Sequence, residues 1–181
     1  FVLWKPLYYT SIAMFLLSLA LLPFSSKWSI ITILALVTIW SRVPGFIHFI
    51  FNKLALNDLF TLIVAANAGW LTGSLFGVFG IMFARIFGPN EWLPYSIRES
   101  IAVFAAGAAV PIIIKITGGL NISALFMFEG VLYVTYYALV WLFWKDEIPL
   151  EMALLPAVVF FDFFLNANWI GMFGKTISNM M

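Results

Sequence analysis

Long apolar runs dominate this chain and restrict its fold more than any single motif does. Their approximate first residues are Tyr8, Trp28, Asp58, Ile97, Asn121 and Pro149. None of them shows the alternation over about ten residues that is typical of a transmembrane β-strand, so the pattern predicts helices. Hydrophobic residues make up 64% of the chain and charged residues 9%, more apolar surface than a water-soluble fold of 181 residues can bury. We therefore predict an all-α, polytopic membrane helical bundle of about six transmembrane helices, in one domain spanning residues 1–181.

Charge and cysteine content narrow the function classes. The formal net charge is +1, which predicts no nucleic-acid partner and leaves the lipid bilayer as the first partner of the chain. The chain has no cysteine, which excludes disulfides and thiolate metal sites. The apolar composition predicts an integral, multi-pass protein of the plasma membrane, while the lysines and arginines leave its orientation almost undetermined.

The second apolar run, Trp28 to Trp40, is short for a full span, and Pro44 follows soon after it. Proline removes a helical hydrogen bond and bends or ends a helix. Two alternatives stay open. The segment crosses the bilayer with a bend near Pro44, or it crosses once and returns along the surface through Phe46 to Leu56.

The third run, Asp58 to Phe87, is predicted as one helix that Asn57 or Asp58 caps. Thirty helical residues are about 45 Å long against about 30 Å of hydrocarbon, so this helix must tilt, bend or protrude. Its glycines are the expected bending points. Small residues recur along one face at spacings of three and four: Ala65, Gly69, Gly73, Gly77, Gly80, Ala84 and Gly88.

This ridge of small side chains predicts close packing against another helix, because small residues let helix backbones approach in lipid. Ala65, Gly69, Gly73 and Gly77 are the predicted packing residues. On the opposite face, polar and aromatic side chains predict contact with polar partners: Asn67, Trp70 and Ser74.

Three further helices complete the predicted bundle. Ser96–Glu99 has the spacing of a capping box and predicts a helix from Ile97 to about Thr117. The next helix is predicted from Asn121 to Trp144. The last begins at Pro149 and is predicted to end near Gly174.

Two acidic residues lie deep in these helices. A carboxylate within the membrane costs several kcal/mol unless it is protonated, paired or in a wet cavity, so Glu129 and Asp162 are candidates for a function. Because their helices are antiparallel, the two acids can occupy one layer, each followed by polar and aromatic residues at helical spacing. Tyr133 follows Glu129 and Asn166 follows Asp162. Together with Asn67, Trp70 and Ser74, these residues can line a central pocket.

Structural roles remain open for the same residues. Glu129 can pair with Lys115 or Arg85, and Asp162 can hydrogen-bond a neighbouring helix as a neutral carboxyl. Asn166 can act as an interhelical hydrogen-bonding residue, and the lone His48 as an interfacial one. Because no nucleophile, phosphate loop or acidic metal motif is present, we predict no enzyme activity, no cofactor and no metal site.

Two segments carry a family resemblance. They are LALNDLFTLIVAANAGWLTGSLFGVFGIMFARIFG, from Leu54 to Gly88, and FFDFFLNANWIGMFGK in the last helix. This pattern resembles the substrate-binding subunits of energy-coupling-factor (ECF) vitamin transporters, which have six helices and a glycine-rich third span. It is also similar to the rod-shape scaffold proteins of the MreD type. The first resemblance implies a small-molecule pocket near one membrane face, roofed by a loop such as Gly88 to Tyr95. It also implies the ligand-binding residues of this pocket, which are Asn67, Trp70, Glu129, Tyr133, Asp162 and Asn166.

Three functions follow as expectations. The first is a substrate-binding subunit of a small-molecule, vitamin-like uptake transporter. The second is a non-catalytic assembly subunit whose glycine and alanine faces hold other membrane protein subunits. The third is a proton- or cation-coupled transporter in which Glu129 and Asp162 form a relay.

Overall fold

A computed structural model describes residues 4–41, 56–87, 93–145, 156, 159–160 and 163–181, and this part of the chain forms helices and short turns without a strand. Residues 163–169 are α-helical and continue directly into a π-helical turn, Ile170–Gly174. The α-helices are α1, Trp4–Leu21; α2, Ser26–Ser41; α3, Asn57–Ala68; α4, Trp70–Phe87; α5, Leu93–Thr117; α6, Ile122–Phe143; and α7, Lys175–Met180. The all-helical prediction is confirmed for these residues.

The predicted third helix is in fact a hairpin of two helices, because the chain reverses direction at Gly69. This glycine follows α3 with φ 97° and ψ 150°, a backbone conformation that side chains with a Cβ rarely adopt. The prediction of one helix from Asp58 to Phe87 is therefore wrong, although a glycine does mark the bend. Hydrophobic periodicity did not reveal the break, since two successive apolar helices show the same period as one long helix.

The ridge of small side chains fills the contact between the two arms of this hairpin. A Cβ on Gly73 would overlap the backbone and Cβ of Ala65, and a Cβ on Gly77 would lie 2.6 Å from the Thr61 hydroxyl. Gly69 forms the turn, where an added Cβ would meet nothing within 4 Å. The described part of the ridge, which does not include the Ala84 side chain or Gly88, therefore packs within the same chain.

Helix α3 occupies the middle of the bundle. Its residues are buried almost all round, including Leu59, Leu62 and Val64. Besides α4, it contacts α2, α5, α6 and α7. A helix that is apolar on all sides and enclosed by others is a core helix, and α3 is the element around which the remaining helices are arranged.

The other long helices pack around this core. Helix α5 packs extensively against both α4 and α6. On α4, Ser74 faces α5: its hydroxyl donates to the carbonyl of Phe104 at 3.1 Å, and a Cβ on Gly107 would lie 2.5 Å from that hydroxyl. Helices α1 and α2 form a separate pair, in which the hydroxyls of Ser18 and Ser29 lie 2.9 Å apart.

Helix ends test several predictions about caps. Helix α6 has almost the predicted bounds, and Asn121 caps it, with its Oδ1 accepting from the amide of Ala124 at 2.9 Å. The predicted capping box Ser96–Glu99 is wrong, because α5 already begins at Leu93 and Ser96 lies buried inside it. Leu56 is the N-cap of α3 without a side-chain bond, so the predicted cap at Asn57 or Asp58 is also wrong.

The last helix ends later than predicted. The sequence predicts an end near Gly174, but the π-helical turn Ile170–Gly174 continues without interruption into α7. Gly174 has φ −54°, an ordinary helical value, so this glycine does not end the helix. The segment around Pro44, with both of its alternative paths, lies outside the described residues, as does His48.

Two helices of the described chain are long and apolar enough to cross a bilayer, Tyr95–Thr117 and Ile122–Phe143. Three shorter apolar helical stretches accompany them: Lys5–Leu21, Ser26–Ser41 and Trp70–Phe83. Many large hydrophobic side chains point outward, as the α1 residues Tyr8, Phe15 and Leu16 do.

Candidate functional site

A groove of about 470 Å³ lies between α6 and a set of described residues near the C-terminal end, 156, 159–160 and 163–164. Helix α6 contributes Glu129, Gly130 and Tyr133. The remaining described lining residues are apolar: Phe126, Pro156, Val159, Phe160, Phe163 and Phe164. The volume is within the range of small-molecule sites, about 300–1,000 Å³.

Glu129 is the one described lining residue with a formal charge. Its side chain is 4% exposed, and its Oε1 accepts a hydrogen bond of 3.2 Å from Nδ2 of Asn166. Asn166 is itself buried in the helical stretch 163–169. This hydrogen bond from the Asn166 side chain therefore orients the Glu129 carboxyl group. It also links the two sides of the groove, α6 and the helical stretch 163–169.

Aromatic rings form most of the groove wall. Phe126 and Phe163 meet edge to face across it, with ring centroids 5.4 Å apart, and Phe160 stacks parallel on Phe164 at 5.7 Å. The outer parts of this wall are exposed: Phe126 by 64% and Phe160 by 62%. The groove is thus open at the outer surface of the bundle and closed around Glu129.

Three of the six predicted ligand-binding residues meet at this groove. Glu129 and Tyr133 line it, and Asn166 holds the carboxyl. Trp70 lies at the tip of the α3–α4 hairpin and is 45% exposed. Asp162 lies outside the described residues. Of the two acids that are predicted to share a layer, the structure therefore describes Glu129.

Asn67 connects the hairpin tip to the C-terminal helix. Its Nδ2 donates to the carbonyl of Ile63 at 2.8 Å, and its Oδ1 accepts from the hydroxyl of Ser178 at 2.6 Å. Ser178 belongs to α7. The described contacts of Asn67 thus give this residue a bracing role between α3 and α7.

We expect Ser178→Ala to lower the free energy of unfolding by about 1 kcal/mol, because it removes the hydroxyl that donates to Asn67 Oδ1. Hydrogen–deuterium exchange should report faster exchange around Gly69, since the hairpin tip is then less restrained. Ser178→Thr keeps the hydroxyl and is the control. Unchanged exchange at the tip in the alanine variant would contradict the bracing role.

Sequence reasoning missed a second buried group, Arg98. Its side chain is 1% exposed, and its guanidinium carbon lies 4.8 Å from the ring centroid of Trp144, 5.5 Å from that of Tyr136 and 5.6 Å from that of Tyr95. These distances are within reach of cation–π attraction. The sequence does contain a signal for this contact, because Tyr95 lies three residues before Arg98. This spacing places both side chains on one helix face.

The groove and the Arg98 site are connected by tyrosine rings of α6. Tyr133 stacks on Tyr137 at 6.5 Å, and Tyr137 meets Tyr136 edge to face at 5.3 Å. Tyr136 in turn contacts Arg98. One face of α6 therefore carries a continuous row of aromatic side chains from the groove to the buried cation.

The phenylalanines of the groove are absent from the predicted site residues. The signal was the spacing of Phe160, Phe163 and Phe164 at i, i+3 and i+4, which places them on one helix face. Only the approach of α6 turns that face into a groove wall.

The chemistry that this arrangement offers is binding. An aromatic surface gives apolar contact and attracts cations, and the carboxyl group of Glu129 offers a strong hydrogen-bond acceptor at one point. Within the described residues, no group of three or more histidine, aspartate, glutamate or cysteine side chains is placed to hold a metal ion. The chain matches no protein-family model, no curated protein and no solved structure.

Proposed function

We propose that this chain is a multi-pass membrane protein that binds a small, mainly apolar molecule in the α6 groove, as the substrate-binding subunit of an uptake transporter would. The observation that carries the proposal is the Glu129 carboxyl, oriented by Asn166 inside a groove walled by aromatic rings. Pockets of this kind, apolar with a few placed polar groups, are typical of small-molecule sites.

The apolar exterior supports the membrane part of the proposal. Large hydrophobic side chains are exposed on helices along the described chain, for example Phe15 on α1, Phe79 on α4 and Phe143 on α6. In water, exposed apolar surface on this scale would cause aggregation, whereas acyl chains accommodate it. The shorter helices fit this environment as partial spans or as a membrane-embedded hairpin.

The assembly-subunit alternative receives less support from the hairpin. This alternative uses the ridge of small side chains as a docking face for another subunit. The ridge glycines of α4 that the structure describes already pack against α3 and α5 of the same chain. The relay of Glu129 and Asp162 stays a prediction, because Asp162 lies outside the described residues. Binding in the groove is therefore the function we propose.

Filling the groove tests the proposal. Gly130 lines the groove, and a Cβ added there would meet nothing within 4 Å, so we expect Gly130→Phe to place its ring in the groove. Native mass spectrometry of the protein, extracted in mild detergent from the membranes where it is made, should show a small bound mass in the wild type. We expect this mass to be lost from Gly130→Phe.

Gly171→Phe is the matched control, because an added Cβ at Gly171 also meets nothing within 4 Å and this residue does not line the groove. It should keep the bound mass. A wild-type protein without a small ligand, or a mass equally retained in Gly130→Phe, would contradict binding in this groove.

A further inference from the structure

We infer that the α6 groove binds the hydrocarbon chain of a membrane lipid, which enters it sideways from the bilayer. This inference rests on the proposed function and names the chemical class of its ligand. Its basis is the elongated shape of the groove, the apolar character of its surface and its opening on the outside of the bundle.

The groove is elongated along the helices that form it. On α6 it extends from Phe126 to Tyr133, which is about 10 Å of helix. Gly130 lies in the middle of this wall, and because it has no side chain the space continues past it. The hydrocarbon of one bilayer leaflet is about 15 Å thick, so a single lipid chain is long enough to follow the α6 wall over its whole length.

The surface of the groove is almost wholly apolar, although Glu129 belongs to its lining. Both carboxyl oxygens are held or enclosed by protein, since Oε1 accepts the hydrogen bond from Asn166 and Oε2 is fully buried. The acid therefore serves the contact between α6 and the helical stretch 163–169, while a ligand in the groove meets mainly carbon atoms. A polar molecule would lose its hydrogen bonds to water there without replacing them, which favours a hydrocarbon.

The opening of the groove indicates where this hydrocarbon comes from. Phe126, Phe160 and Phe164 are each more than half exposed on the outer surface, which faces acyl chains in the membrane setting proposed above. Water does not fill an apolar space, and an empty groove would forfeit the dispersion contacts of its lining. A lipid chain fills it instead. Because the chain is among apolar atoms in either place, its preference for the groove comes from close packing against the rings.

Photo-crosslinking tests the inference. The protein is reconstituted into nanodiscs in which some of the phosphatidylcholine carries a diazirine in the middle of one acyl chain, and adducts are located by peptide mass spectrometry after irradiation. We expect labelling per residue at Val159 and Phe163 to exceed that at Phe79 by at least about fivefold. Phe79 is the reference for ordinary contact with bulk lipid, because it is 64% exposed on α4 and does not line the groove.

Two variants complete the experiment. Gly130→Phe should reduce the labelling of Val159 and Phe163 to the level of Phe79, since its ring takes the place of the chain. Gly171→Phe should keep the wild-type pattern, because Gly171 does not line the groove. Groove labelling no stronger than that of Phe79 in the wild type overturns the inference, and this comparison needs no variant to fold. Undiminished labelling in a Gly130→Phe protein with wild-type thermal unfolding also overturns it.

The outcomes separate this inference from the proposed function. If native mass spectrometry shows a bound mass that Gly130→Phe loses, while groove labelling stays at the level of Phe79, the groove binds a compact apolar molecule. The proposed function then stands and the lipid-chain inference is wrong. A retained mass equal to that of a lipid, together with enriched groove labelling, supports both. A wild-type protein with neither contradicts both.

Discussion

Replacing Gly73 with alanine is expected to lower the free energy of unfolding by about 3 kcal/mol, although it adds a single methyl group. The added Cβ would overlap Ala65 at its amide nitrogen, Cα and Cβ. A flexible side chain would rotate away, but a helix backbone cannot, so the whole α3–α4 hairpin must open. Because α3 is the buried centre of the bundle, its displacement also loosens the contacts with α5 and α6.

Gly130→Ala is the matched control for this prediction. It makes the same chemical change in another helix, where the added Cβ meets nothing within 4 Å. Since alanine favours a helix over glycine by about 0.5–1 kcal/mol, this variant should be neutral or slightly more stable. Unfolding by sodium dodecyl sulfate in mixed micelles, followed by circular dichroism, compares the two. Equal midpoints would contradict the close contact in the hairpin.

Arg98→Ala is expected to lower the free energy of unfolding by about 3 kcal/mol or more. The change removes a fully buried side chain from among Tyr95, Tyr136 and Trp144, leaves a cavity and ends three cation–π contacts. Tyr95 and Arg98 belong to α5, whereas Tyr136 belongs to α6 and Trp144 is the C-cap of α6. We therefore expect the two helices to separate around these side chains.

Arg98→Lys distinguishes charge from packing. Lysine keeps the positive charge but loses the planar guanidinium that stacks on rings, so we expect it to recover only part of the lost stability. Trp144 fluorescence is a local reporter, best read in a variant without the other tryptophans, and its emission should shift to longer wavelength as the ring gains solvent in Arg98→Ala. An unchanged spectrum and midpoint would show that Arg98 contributes nothing to this contact.

Much of the candidate site could be predicted from sequence because the relevant spacing is local. Glu129 and Tyr133 belong to one helix, and a helical period places them on one face. Helical spacing alone does not predict that Glu129 pairs with Asn166, since these residues are 37 positions apart and lie on different helices. The antiparallel arrangement of the last two predicted helices suggested a shared layer, but the hydrogen bond depends on how closely the two helices approach.

The α3–α4 hairpin could not be predicted in the same way. A tight turn inside an apolar run leaves no polar loop, and the glycine at the turn lies in the same ridge as the glycines that pack. Gly69 and Gly73 are four residues apart and look equivalent in sequence, yet one takes φ 97° and the other lies against Ala65. Only the three-dimensional contact separates a glycine needed for its backbone conformation from one needed for its small size.

The sequence by itself determined that this chain is helical and strongly apolar, that small residues mark a helix contact, and that Glu129 is an unusual acid. These properties follow from residue composition and helical period, which are local. Tertiary structure alone decided that the ridge packs within the chain, that Arg98 is enclosed by three rings, and that phenylalanines from distant positions form the groove around Glu129. Such features depend on which helix faces meet, and close packing between helices is a property of the whole bundle.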